Sequence, residues 1–135
     1  MPTDAQRIRT EPDYYEPFKI AQAYRVGDLI ITSGQASLDK EGNLVGVGNF
    51  DAQAEQTFNN LQELLQAAGS DLAKVVKVTV YLRDMNNFPK MLELRERHFT
   101  PPYPADTIVE VSSLALPELE IEIDAIALAD GEVID

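Results

Sequence analysis

Residues 75–82 read Val-Val-Lys-Val-Thr-Val-Tyr-Leu, and this stretch decides the fold. Five β-branched residues and a tyrosine in eight positions favour a pleated, half-buried surface, so the run reads as a strand. The segment before it changes period. Phe58, Leu61, Leu64, Leu65 and Ala68 recur every three or four residues, which predicts a helix of about 16–18 residues with one apolar stripe. Asp51 is its candidate N-cap, and Gly69 sits just past the stripe as a C-terminal stop. The segment after it predicts a second helix from Asn86 to Phe99, with Phe88, Met91, Leu92, Arg95 and Phe99 on the inner face. Pro89 is tolerated in its first turn, and Pro101, Pro102 and Pro104 end it.

Further out, Ala21–Val26 and Leu29–Ser33 read as two strands joined by a tight turn at Gly27-Asp28. Thr107–Ser112 and Leu119–Leu128 are the last two strands, and a short first strand is expected near Arg7–Arg9. The order is β-β-β-α-β-α-β-β: an α+β fold with two helices on one face of a mixed sheet. Residues 1–135 are expected to form a single domain, with 1–18 as a loosely ordered lead-in. Val76, Val78, Val80 and Leu82 are expected to face the helices. Val75, Lys77, Thr79 and Tyr81 then lie on a face that two helices cannot cover, which points to closed homo-oligomerisation.

Composition narrows the chemistry. The chain has 135 residues, no Cys and one His, which excludes disulfides, thiolate catalysis and Cys-ligated metals. It carries 11 Lys and Arg against 23 Asp and Glu, a formal charge of −12. From His98 to Asp135 there are nine acids and no Lys or Arg. Nucleic acids and anionic membranes are therefore poor partners, because binding them depends on cations that displace counterions. No run approaches the length of a membrane span, and the polar N-terminus MPTDAQRIRT lacks targeting character, so a cytoplasmic protein is expected.

Leu119–Ala127 alternates strictly, placing Glu120, Glu122 and Asp124 on one face and Leu119, Ile121, Ile123 and Ala125 on the other. Same-face acids about 7 Å apart can raise one another's pKa and create a general acid or base, or can form a solvated outer face. A straight strand lacks the convergent oxygens of a cation cage, so no metal or other cofactor is expected. Ser33, at a strand end beside Gly34, reads first as a turn residue, since no nucleophile elbow surrounds it. His98 ends the second helix as a capping or solvent-facing side chain. Tyr14, Tyr15 and Phe18 either pack on a neighbour or rim a pocket.

These segments together resemble the YjgF/RidA family, named for reactive intermediate deaminase and also labelled endoribonuclease L-PSP. The resemblance runs from about residue 18 to 129. It rests on Val26-Gly27-Asp28-Leu29-Ile30-Ile31-Thr32-Ser33-Gly34-Gln35, Ala67-Ala68-Gly69-Ser70, the 75–82 strand, Asp84-Met85-Asn86-Asn87-Phe88, Pro104-Ala105, and Ile121-Glu122-Ile123-Asp124-Ala125. It implies a chorismate-mutase-like fold and a homotrimeric barrel with three small-molecule clefts between subunits. It also implies hydrolysis of 2-imino or 2-enamino acids to 2-keto acids and ammonia, with Glu122 positioning water and Ser33 at the pocket. The family's carboxylate-binding Arg falls on Asp106, followed by Thr107, and its pocket Tyr falls on Ile20. Leu92 and Arg95 stand where the family often has Asn and Tyr on the second helix. These departures argue against standard 2-aminoacrylate deamination. Three readings stay open: a hydrolase for an imine or enamine whose recognised group is neutral or cationic, a hydrolase in which Arg95 replaces the missing charge, and a non-catalytic ligand-binding or regulatory trimer. Ribonuclease activity is not expected of so acidic a chain.

Overall fold

The computed structural model describes residues 2–135. Six strands form one sheet: β1 (Ala5–Ile8), β2 (Ala23–Val26), β3 (Leu29–Thr32), β4 (Val75–Leu82), β5 (Ala105–Glu110) and β6 (Ile121–Leu128). Their spatial order is β1-β2-β3-β6-β4-β5. Among the described strands only β4 and β5 run parallel, because helix α2 (Lys90–His98) forms their crossover. Helix α1 (Phe50–Ala67) connects the β3 side of the sheet to β4. The mixed sheet with two packed helices is the α+β arrangement expected from the sequence.

The core lies between helices and sheet. Phe58, Leu61 and Leu65 of α1 and Met91 and Leu94 of α2 meet Ile30, Val78, Val80, Leu82, Ile121 and Ile123. Fully burying side chains of this size contributes about 1.5–3 kcal/mol each before entropy is charged. The β2–β3 hairpin closes at Gly27-Asp28 as expected, with Val26 opposite Leu29 and Gly27 at φ 60°, a value glycine adopts without penalty.

Several local expectations are corrected. Asn49, rather than Asp51, caps α1, its side chain accepting from the Ala52 N–H at 3.0 Å. Asp51 lies within the first turn, where its charge favours the helix dipole. Helix α2 starts at Lys90, not Asn86: Met85–Asn87 form a separate 3-10 turn capped by Asp84, and Pro89 has no N–H to continue it. The shift rotates the buried stripe to Met91 and Leu94, leaving Leu92 63% exposed and Phe88 46% exposed. Strand β5 spans Ala105–Glu110, two residues earlier than the sequence suggested, in parallel register with Lys77–Leu82.

A β-bulge corrects the parity of β4. Val75 opposes Ala127 and Lys77 opposes Ile126, so Val76 is an extra residue with no partner on β6. Val75 therefore joins Val78, Val80 and Leu82 in the core, while Val76 is only half-buried. The lead-in is also more structured than expected. β1 pairs with β2 from Ala5–Val26 to Ile8–Ala23, the Gln22 side chain accepts from the Thr10 N–H, and Tyr15 is buried.

The face away from the helices stays apolar. Tyr24, Ile31 and Ile126 stand side by side across β2, β3 and β6, and Tyr24, Leu29 and Ile31 are exposed.

Candidate functional site

The β3 strand ends at Thr32, and the chain then bends through Ser33-Gly34 before Gln35 pairs with Ile123 of β6. This bend lays Gly34 directly against Glu122. A Cβ on Gly34 would fall 2.6 Å from the Glu122 Cδ and Oε2, so glycine is what allows the carboxyl group to rest on the backbone. Alternation along β6 turns Glu122 to the face away from the helices, while Ile121 and Ile123 fill the core. Burial, assisted by the nearby Asp124, raises the Glu122 carboxyl above its usual range. Asp124 is engaged by Tyr81, whose hydroxyl donates to Oδ2 at 2.9 Å.

Tyr15 closes this corner from the N-terminal segment. Its hydroxyl donates to the Gly34 carbonyl at 2.5 Å, and the ring is only 8% exposed. Burial first, then Tyr14 and Glu122, push its pKa well up, so it stays a neutral phenol that donates. Ser33 donates its hydroxyl to the Ala21 carbonyl at 2.5 Å, fixing the bend rather than presenting a free nucleophile. Tyr15, Ile20, Ser33, Gly34 and Glu122 line one cavity of about 560 Å³, whose remaining walls are mainly apolar.

The other candidate residues lie elsewhere on the chain. Asp106 faces the helix side of the sheet, in register with Val78, and accepts from the Arg95 Nε at 2.9 Å. Its backbone lies at the sheet edge, but its side chain is only 17% exposed. Leu92 stands one turn before Arg95. Thr107 points to the opposite face of β5, where its hydroxyl accepts from Lys77 Nζ at 2.6 Å. None of Leu92, Arg95, Asp106 and Thr107 lines the Glu122 cavity. Ile20, Ser33 and Glu122 thus converge in a single chain, and the other four do not join them.

Two sequence expectations fail nearby. Glu120 does not share the Glu122 cavity: β6 begins only at Ile121, and Glu120 turns toward α1, its N–H donating to Gln53 Oε1 and its carboxylate 3.5 Å from Gln53 Nε2. Leu119 lines the cavity instead. His98 is neither solvent-facing nor a simple cap. It stacks on Phe58 at 4.2 Å with Nε2 3.2 Å from Glu55. Tyr15 is the site residue that sequence reasoning left undecided; its aromatic cluster was the signal.

A family profile described as Endoribonuclease L-PSP matches residues 10–129. The chain belongs to this family, the YjgF/RidA family. Among L-PSP relatives, a RutC family protein of Pyrococcus abyssi is 41% identical over 107 residues, covering 79% of this chain and 84% of its own. The human protein named 2-iminobutanoate/2-iminopropanoate deaminase is 37% identical over 109 residues, covering 80% and 78%. The L-PSP fold is equally plain in solved structures. RidA from the Antarctic bacterium Psychrobacter superposes with a TM-score of 0.82 at 34% identity, covering 91% of this chain and 98% of that one. The Escherichia coli YjgF product gives 0.79 at 33% identity, with the same coverage.

Proposed function

We propose that this protein hydrolyses a reactive imine or enamine to a carbonyl compound and ammonia, with Glu122 as the general base. The observation that carries the reading is the Glu122 carboxyl, half-buried against Gly34 in the wall of a mainly apolar cavity, where burial raises its pKa above the usual carboxylate range and makes it a better proton acceptor. The deaminase names of the relatives support the reaction class.

Water would attack the carbon of the protonated imine, forming a C–O bond as the C=N electron pair moves to nitrogen and neutralises it. Glu122 takes the proton released by the water. Glu122 then returns that proton to the nitrogen, and as the C–N bond breaks and ammonia leaves, the carbinolamine hydroxyl closes to C=O and its proton passes to Glu122 and on to solvent. The hydroxyl of Tyr15 holds the Gly34 carbonyl, and Ser33 holds the bend at Ala21, so the base stays aimed.

The working unit in this reading is a homotrimer. Its support is the exposed apolar face around Tyr24, Leu29 and Ile31, together with the separation of the candidate residues into two groups. A neighbouring copy would bring Leu92, Arg95, Asp106 and Thr107 to the mouth of the Glu122 cavity as substrate-binding residues. Because Asp106 is neutralised by Arg95, the pair offers no strong net attraction for a small imino-acid carboxylate. The reading therefore separates this protein from a standard 2-aminoacrylate deaminase.

The test is ammonia release from anionic, neutral and cationic imines generated in situ. Acceleration of at least one class over buffer supports the reading. Binding without acceleration of any class would overturn it in favour of a non-catalytic ligand-binding trimer.

A further inference from the structure

The cavity lined by Glu122 has a second property that the reaction itself does not require. Phe18, Ile20, Ala36, Leu38, Leu116 and Leu119 supply its apolar lining, and among the described residues Glu122 is its only carboxylate. No Lys, Arg or His among the described residues of the chain lines it. In one chain the cavity measures about 560 Å³, within the range of small-molecule sites, and the neighbouring copy of the trimer reading would narrow its mouth. The imine of a three- or four-carbon acid would reach Glu122 and leave most of that apolar surface in contact with water. Phe18 and Ile20 are exposed in the single chain, so they have apolar area to lose when the cavity is closed over an occupant.

We infer that the site selects an imine bearing a sizeable apolar side chain, held along Phe18, Ile20, Leu38 and Leu116 while its C=N group meets Glu122. This rests on the hydrolase reading for the reaction but not for the binding. The occupant fits a small molecule because the apolar walls are concave and converge on one carboxyl group, whose charge complements a protonated imine nitrogen. Recognition through a carboxylate clamp is replaced by burial: the cavity has no cation of its own, and Arg95 is already paired with Asp106.

Each buried methylene contributes about 0.8 kcal/mol, roughly fourfold in affinity or in kcat/KM. A leucine-derived side chain adds three carbons to an alanine-derived one. Allowing for a cavity that is partly open, the gain is about 10- to 60-fold. The experiment has two arms on the full-length protein. In the first, calorimetry compares propanoate with 4-methylpentanoate as unreactive probes, on wild type and on Ile20→Asn and Leu116→Ser variants. The longer probe should bind at least about tenfold more tightly to wild type, and each variant should lose most of that ratio. In the second arm, kcat/KM is compared for imines generated from alanine, leucine and phenylalanine by an amino-acid oxidase, and should rise with apolar size. Equal binding of the two probes, or preference for the alanine-derived imine, would overturn the inference. Tight binding of the longer probe without turnover of any imine would leave the inference standing and remove the hydrolase reading, so the two failures are distinguishable.

Discussion

Replacing Gly34 with alanine is the most direct structural perturbation of the proposed base. The new Cβ would stand 2.6 Å from the Glu122 Cδ and Oε2 and 2.9 Å from its Cγ, where ordinary contact begins at 3.4 Å. The carboxyl group must therefore retreat by roughly 1 Å, a misplacement that can cost on the order of 100-fold in rate. The backbone itself accepts alanine, because Gly34 is not among the glycines at positive φ. The carboxyl end of Glu122 is the flexible partner, so the fold need not give, and loss of backbone freedom in the unfolded chain adds about 0.4–1 kcal/mol of stability. Gly34→Ala should thus lower kcat about 100-fold while leaving Tm within a few degrees of wild type, as read by stopped-flow decay of an imine beside calorimetry. A variant with unchanged kcat and a displaced Glu122 in its crystal structure would refute the link between carboxyl position and turnover.

Three further outcomes are expected. Because folding raises the Glu122 pKa above 4.5, the native state binds its proton more readily than the unfolded chain, so this group lowers stability as pH rises through that window; Glu122→Gln should be more stable than wild type above it, with the difference vanishing below pH 4.5, in paired thermal melts. Sedimentation equilibrium should give three copies of the 15.0 kDa chain, about 45 kDa, and a stable monomer at micromolar concentration would remove the neighbouring copy from the site. Asp106→Arg should raise 2-aminoacrylate turnover by supplying a free guanidinium, and adding Glu122→Gln should remove the gain; wild type matching the single variant would show that Arg95 already serves that role.

Much of the fold was legible because it rests on period. The three- and four-residue recurrence from Phe58 to Leu65 and the alternation from Ile121 to Ala127 each bury one stripe, and burial is what fixes helices and strands. The bulge at Val76 was not legible, since an extra valine among valines leaves no compositional trace. The start of α2 was missed because Asp84 caps a short turn that Pro89 then separates from the helix. At the site, strand parity singled out Glu122 among the β6 acids, whereas Ser33 and Ile20 were named through the family resemblance, and the bend after β3 brings all three to one cavity. Tyr15 could not be named from sequence, because its role depends on a hydrogen bond to Gly34 across 19 residues of chain. The Arg95–Asp106 pair had the same obstacle: both residues were singled out, but their contact is set by how α2 packs along the edge of β5.

The central claim is that Glu122 performs a proton transfer in imine hydrolysis. It is tested most directly by the decay of a leucine-derived imine, followed across pH for wild type and Glu122→Gln at equal concentrations. The account predicts acceleration by wild type, with an acidic limb lying above pH 4.5 in keeping with the raised carboxyl, and no acceleration by the variant at any pH. A variant as active as wild type, with the same acidic limb, would contradict it.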